Sequence, residues 1–518
     1  MLGSKSFGLL LGLVALAAMP ARLAADEPLS AIDWLSKSVA TPADLPRAPL
    51  LPGEMPAGGA IMSGPITMQP LGAPGLDSLG LVPAERAGLP RDLWGKSASS
   101  DLARLLRAEQ PDTLPAIQSL LYSLLIAELD PPTDSDIDGA LFLARVDKLL
   151  DLGALDPALS LLELTGAPRP EPFRRWFDVS LLLGQEDHAC AVMAKTPQIA
   201  PTLPARIFCL ARDGDWNAAS LSLRTGETLG TIDPAMAALL SRFLDPEAAD
   251  GAPDLPVPDR PSPLVLRLME AIGQPMVTAT LPVAFAQADL RSNNGWKARI
   301  EAGERLARMG AIPANRLFGL YTERKAAASG GVWDRVKAVQ ALDAALGRND
   351  KAAAATALTA AWDQMEELQL EVPFAELFGA RLTGANLRDD AGALAFRIGL
   401  LSRASERVAR AHTATDTADA FLAALAKGDA TGTTPPDQLG VAVQAAFVGT
   451  PDPGDELTRL AADQRAGEAL LRAMSKVTNG ANGDLRDVTQ GLAYLRKAGF
   501  EGPARHAALE LMLLERRG

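Results

Sequence analysis

A short signal recurs along this chain and constrains its fold more than any other feature. In "LLDLGALDPALSLLEL", Gly153, Asp156 and Ala158 separate two apolar runs. "LLLGQEDHACAVM" repeats the layout with Gly184, Asp187 and Ala189, and "CLARDGDWNAASLSL" does so with Gly214, Asn217 and Ala219. The three glycines lie 31 and 30 residues apart. Weaker copies surround Gly310, Gly347 and Gly499. A glycine ends one helix in the left-handed conformation at little steric cost. An Asp or Asn near the turn caps the next helix by accepting from its free amides. A small alanine shortly afterwards lets the two helices cross closely. Helix–turn–helix units with a period of 30 to 40 residues are the mark of an α-solenoid.

Composition agrees. From Ser99 onward alanine and leucine dominate, aromatic and β-branched residues are scarce, and period-two runs are missing. The expected fold is all-α: helix–turn–helix repeats in two or three blocks, preceded by a Pro/Gly-rich extended segment. The blocks run 99–245, 264–427 and 428–518, with "PEAADGAPDLPVPDRPSP" (246–263) as a linker and "GDATGTTPPDQLG" as a second break. Residues 41–98 carry a proline or glycine every few positions. That spacing disfavours helix, yet Ile61, Ile66, Met68, Leu71, Leu76, Leu79, Leu81 and Leu93 need burial, which favours a strap packed along the body over a free tether.

The segment from about Ala140 to Leu244 resembles tetratricopeptide-type repeats. "RIFCLARDGDWNAASLSL" is the nearest copy, with Ala211, Gly214, Trp216 and Ala218 in matching places, although no unit holds the whole repeat pattern. The resemblance implies an adaptor module; helical platforms of soluble lytic transglycosylases resemble it too. Uncharacterised secreted proteins sometimes given antifreeze-type names also look similar. The Thr/Ala tract "AHTATDTADAFLAALAKGDATGTT", however, is irregular and carries Asp and Lys, so it offers no flat threonine face.

The first 25 residues read as a signal peptide: Lys5, the apolar run "FGLLLGLVALAAM", and small residues before Asp26. The run is too short for a stable span. An uncleaved leader acting as an anchor is the alternative. A periplasmic location is expected, with no membrane span after leader removal. In that oxidising setting the two cysteines, Cys190 and Cys209, are expected to pair, because the intervening residues read as helix end, turn and helix start. Two buried thiols are the competing reading. The formal net charge of −13 falls to near −15 once Lys5 and Arg22 leave with the leader. Such a surface is a poor match to nucleic acid.

Signals for chemistry are sparse. His188, His412 and His506 lie in three different blocks without ligand spacing, no G-x-S-x-G occurs, and no phosphate-binding loop is present. Glu301 with Glu304, and Glu366 with Glu367, are carboxylate pairs on helical runs, where acids commonly face solvent. The catalytic Glu-Ser dipeptide of the transglycosylases is missing from the transglycosylase-like reading. No catalytic residue, metal or cofactor is expected.

Two stretches are candidates for partner binding. "YTERKAAASGGVWDR" presents Tyr321, Arg324 and Trp333, residue types that dominate binding hot spots. Trp296 and Trp333 filling gaps between alanine-rich helices is the favoured reading. Residues 26–40 read as an amphipathic helix in which Leu29, Ile32, Leu35 and Val39 would share a face beside Trp34. About eleven residues are too few for a free helix in water. The helix therefore docks, either on its own body or in a groove of another protein. The functional expectation is a non-enzymatic periplasmic scaffold that binds an envelope protein or peptide. A peptidoglycan-enzyme accessory is the alternative.

Overall fold

Leu149 and Leu150 close one helix, Gly153 turns the chain at φ 75°, and Leu155 opens the next. That hairpin is one of several in which consecutive helices pair. The structure, a computed structural model, describes residues 75–514 apart from 167, 248–250 and 327. Among the described residues there are 25 α-helices and one pair of two-residue strands, Val82–Pro83 and Ala127–Glu128, which run parallel. The protein is mostly helical.

The glycine signal acts as expected in most copies. Gly153, Gly184, Gly214, Gly310 and Gly499 all take positive φ at helix ends. Gly347 does not: it is the last residue of helix Val332–Gly347, and Asn349 takes the left-handed turn at φ 55°. The expected caps also differ. Asp156 and Asp187 lie inside the first helical turn and make no capping bond. Asp215, not Asn217, caps helix Trp216–Thr228 by accepting from the Ala218 amide at 3.0 Å. Acids in the first turn still favour the helix through its dipole.

Consecutive helices pair, as in Leu203–Arg212 with Trp216–Thr228 and Lys351–Glu367 with Val332–Gly347. Cys190 and Cys209 form a disulfide, with Cα atoms 5.1 Å apart, between helices Glu186–Lys195 and Leu203–Arg212.

Three hydrophobic cores result, and they do not follow the three sequence blocks. One holds residues from Phe173 to Met269, and a second residues from Ala286 to Leu401 with Leu514. The largest joins the first and the last of the described helices. Leu102, Leu106, Leu121 and Leu149 share it with Phe421, Leu470, Leu492 and Leu509. Helix Ser99–Ala108 packs on Ala466–Ala481, and helix Pro115–Ile126 on Glu501–Leu513. Hydrogen bonds cross the same seam: the Ala116 amide donates to Glu510 Oε2 at 2.9 Å, and Ser475 Oγ donates to Glu109 Oε1 at 2.7 Å.

Residues 75–98 lie against this core. Leu76, Leu89, Leu93 and Trp94 are buried. Gly80 approaches the 127–128 backbone so closely that a Cβ there would sit 2.2 Å from the Glu128 amide nitrogen. The Trp94 ring stacks against Gly467, and the Gly467 amide donates to the Leu93 carbonyl at 2.8 Å. Arg145, fully buried, locks the arrangement. Its guanidinium donates to the carbonyls of Leu125, Leu79 and Ala127 at 2.9, 2.8 and 2.7 Å. Burial pulls its pKa down to about 10, so it stays charged at neutral pH.

Candidate functional site: an aromatic shelf at one helical pole

Three helices, Leu203–Arg212, Trp216–Thr228 and Pro234–Leu244, pack on one another. Because they alternate in direction, the end of the first, the start of the second and the end of the third meet at one pole. There Phe208, Phe243 and Trp216 form a row that runs from core to solvent. The Phe208 and Phe243 rings stack with centroids 5.6 Å apart, and Trp216 lies 6.3 Å from Phe243 at a tilt of 44°. Phe208 is buried, Phe243 half-buried, and Trp216 is 49 % exposed.

Local sequence explains this placement. Ala219, Leu223 and Gly226 are the buried face of their helix. Trp216 starts the same stripe but stands at the first helical residue, where the hairpin ends and cover runs out. Leu221, on the opposite face, is 67 % exposed. Large apolar side chains are uncommon in such positions unless something covers them.

The platform beneath is cross-linked. The disulfide fixes helix Leu203–Arg212 to its neighbour. Buried Glu186 accepts from Arg267 Nη2 at 2.6 Å, Arg267 pairs with Glu270, and Glu270 accepts from Arg291 Nη2 at 2.8 Å. Arg212 pairs with Asp187 across the same hairpins. Opposite charges in series along one side of the block restrict its movement, though each exposed pair is individually weak.

The other candidates from the sequence are placed as follows. Ile32, Trp34 and Leu35 lie outside the described residues. Tyr321 is 2 % exposed and donates its hydroxyl to Glu304 Oε1 at 2.8 Å, and Arg335 reaches both oxygens of that carboxylate at 2.7 and 2.8 Å. Burial, then the Glu304 charge, push the Tyr321 phenol well above its ordinary range. Trp333 packs on Trp296 at 5.1 Å, and the Trp296 indole donates to the Leu320 carbonyl. Arg324 is exposed and pairs with Glu323 at 3.4 Å. Tyr321, Arg324 and Trp333 thus form no common presented surface: the first is core, the third fills a gap, and only Arg324 faces water. Glu304, one of the paired carboxylates of the sequence, is saturated by Tyr321 and Arg335.

The histidines are held separately. His188 makes an edge contact with Trp176 at 5.0 Å. His412 stacks on Phe396 and lies 3.2 Å from Asp419 Oδ2. His506 lies 3.2 Å from the hydroxyl of Ser405, which is itself buried, and burial lowers the imidazole pKa. A cavity of about 260 Å³ is lined by Asn349, Asp350, Lys351 and Arg381 among others. Asp350 there caps the Ala353 amide and Arg381 pairs with Asp343, so its acid and its arginine are engaged. Among the described residues no group of three or more His, Cys, Asp or Glu is placed to hold a metal ion, and no helix is long and apolar enough to cross a membrane.

Comparison of the chain with models of protein families, with curated proteins and with solved structures finds no match.

Proposed function

We propose that this protein is an exported, non-enzymatic helical scaffold that binds a protein or peptide partner in the bacterial envelope. The observation that carries this reading is the exposed Trp216 on a block that is otherwise alanine- and leucine-rich and is pinned by a disulfide. A tryptophan presented on a rigid platform contributes large contact area at low entropic cost, and such residues dominate hot spots. The repeat layout of the hairpins, read as tetratricopeptide-like, is in keeping with an adaptor role. The disulfide is compatible with an oxidising compartment, where structural bridges persist.

Site-specific photocrosslinking tests the reading. A photoreactive phenylalanine analogue replaces Trp216, and another replaces Arg324 as a surface control. Both chains are expressed with the native leader and irradiated in intact cells. A discrete adduct from position 216, absent from position 324, is the expected outcome. No adduct from position 216 over a range of growth conditions counts against a partner at this surface. Recovery of the processed chain in the periplasmic fraction is expected as well, and retention in the cytoplasm contradicts the export step.

A further inference from the structure

Helix Pro170–Leu183 serves two cores at once. Phe173, Phe177 and Leu181 belong to the core of residues 173–269, and Val179 and Leu182 to the largest one. The same helix also buries charge. Arg175 is held firmly: its Nε and Nη2 donate to Asp147 at 2.5 and 3.1 Å, and its Nη1 to Glu171 at 2.9 Å. Arg174 and Asp178 are not. They are 8 % and 6 % exposed. Arg174 Nη2 donates to Glu171 at 3.2 Å, but its Nε and Nη1, and Asp178 Oδ2, have no hydrogen-bond partner. Four residues apart on one helix, the two side chains share a face and lie within reach of each other. Buried donors and a buried acceptor left open together are uncommon, because each has lost its water with nothing in return. A carboxyl in that position holds its proton more tightly than one in water. Burial raises Asp178 to about 7, with Arg174 and then Arg175 opposing. The other charges on helices packed here are engaged or solvated. Glu186 pairs with Arg267, Glu270 with Arg267 and Arg291, Asp187 with Arg212, and Asp156 with Arg316. Asp289 accepts from Thr278, His188 lies edge-on to Trp176, and Glu163 and Lys195 are exposed.

We propose that Asp178 and Arg174 form a proton-operated joint in the helix that the two cores share. With its proton, Asp178 packs apart from Arg174. When the proton leaves to solvent, the carboxylate turns to the open Arg174 donors and draws that guanidinium away from Glu171. Glu171 keeps Arg175, so no acid is left alone. Helix Pro170–Leu183 re-seats as its buried side chains move, and both cores feel the change because both pack on it. The sign follows from linkage. A carboxyl whose folded pKa is raised adds stability that is fully present below about pH 4 and is lost as pH rises towards 7.

The test uses the full mature chain, disulfide intact, with carbon-13 at the aspartate carboxyls, which leaves the buried Glu109 silent. A resonance titrating near pH 7 is expected, and Asp178→Asn removes it. Arg174→Gln keeps donors but loses the charge, and is expected to move that midpoint upward. Hydrogen exchange, corrected for its intrinsic pH dependence, is then compared at about pH 5.5 and about pH 8. Protection in Pro170–Leu183 is expected to fall several-fold at the higher pH in the wild type and to stay level in Asp178→Asn. Helix Val332–Gly347, in a separate core, keeps the same protection throughout. Aspartates that all titrate in the ordinary carboxylate range overturn the proposal. So does equal protection of Pro170–Leu183 at the two pH values, or the same fall in Asp178→Asn. Should Asp178→Asn fail to fold, the wild-type exchange and the Arg174→Gln titration still decide, and a midpoint that Arg174→Gln leaves in place overturns the joint.

Discussion

Single side chains decide how the largest core is held together. Glu109 follows helix Ser99–Ala108 and points into the seam with helix Ala466–Ala481, where it is almost fully buried. Its side chain accepts from Ser475, and Lys148 donates to its backbone carbonyl at 2.9 Å while pairing with Asp151. Burial dominates and raises the Glu109 pKa to about 7, with Ser475 and then Lys148 opposing. The folded state thus holds a proton that the unfolded chain releases near its ordinary value of about 4.3. Stability from this group is fully present below about pH 4 and is lost as pH rises towards 7. Glu109→Gln keeps an acceptor for Ser475 and cannot ionise. The variant should match the wild type near pH 4 and melt several degrees higher at pH 8, a difference of up to about 3 kcal/mol. Equal melting temperatures at pH 8 show that the carboxylate is not destabilising there. None of this was legible in the sequence. "RAEQP" reads as a helix end with solvent-facing charge, and nothing local announces that helix Ala466–Ala481 packs against it, with Ser475 366 residues away.

At the scale of elements, local signals carried most of the information. Gly184 and Gly214 sit where a left-handed residue ends a helix, and the spacing of Cys190 from Cys209 matches two antiparallel neighbours. These are short-range facts, set by backbone sterics within a few residues. The caps were less legible, because Asp156 and Asp215 are both acids near a turn and only the register of the turn decides which one reaches a free amide. The strap was half legible. In its described part Leu76 and Leu93 announced burial, but the buried Arg145, which donates to the carbonyls of Leu79, Leu125 and Ala127, reads from sequence as a surface charge. The shelf was missed for a related reason: Trp216 fits the repeat pattern, and pattern does not report where a hairpin runs out of neighbours. The disulfide gives this scale its prediction. It closes a loop of 19 residues, for which chain-entropy estimates give about 3 kcal/mol. Cys190→Ala with Cys209→Ala should lower stability by roughly that amount and raise amide exchange in helices Glu186–Lys195 and Leu203–Arg212. If reduction of the wild type leaves both melting and exchange unchanged, the bridge is not supporting the platform.

Over the whole molecule, the joining of the first and last described helices distinguishes this arrangement from an open row of repeats. In an open solenoid each unit touches only its neighbours, so damage at one end stays at that end. Here helix Glu501–Leu513 packs on Pro115–Ile126, and Glu510 receives the Ala116 amide. No sequence signal pointed to this contact, because periodicity describes units and says nothing about which distant units meet. The arrangement makes a strong demand on energetics. Leu509 is fully buried in the core that also holds Leu121 and Leu125. Leu509→Ala removes that packing and leaves a cavity, at a cost of about 2–5 kcal/mol. Because the core is shared, the loss should appear at both ends of the sequence. Hydrogen exchange should accelerate in Pro115–Ile126 and Ser99–Ala108 as well as in Glu501–Leu513, while Val332–Gly347, in a different core, keeps its protection. Faster exchange confined to the last two helices would show that the two groups of helices are not energetically joined, and the molecule would then behave as an open row. Loss of protection everywhere at once would instead show that all three cores unfold as one cooperative unit.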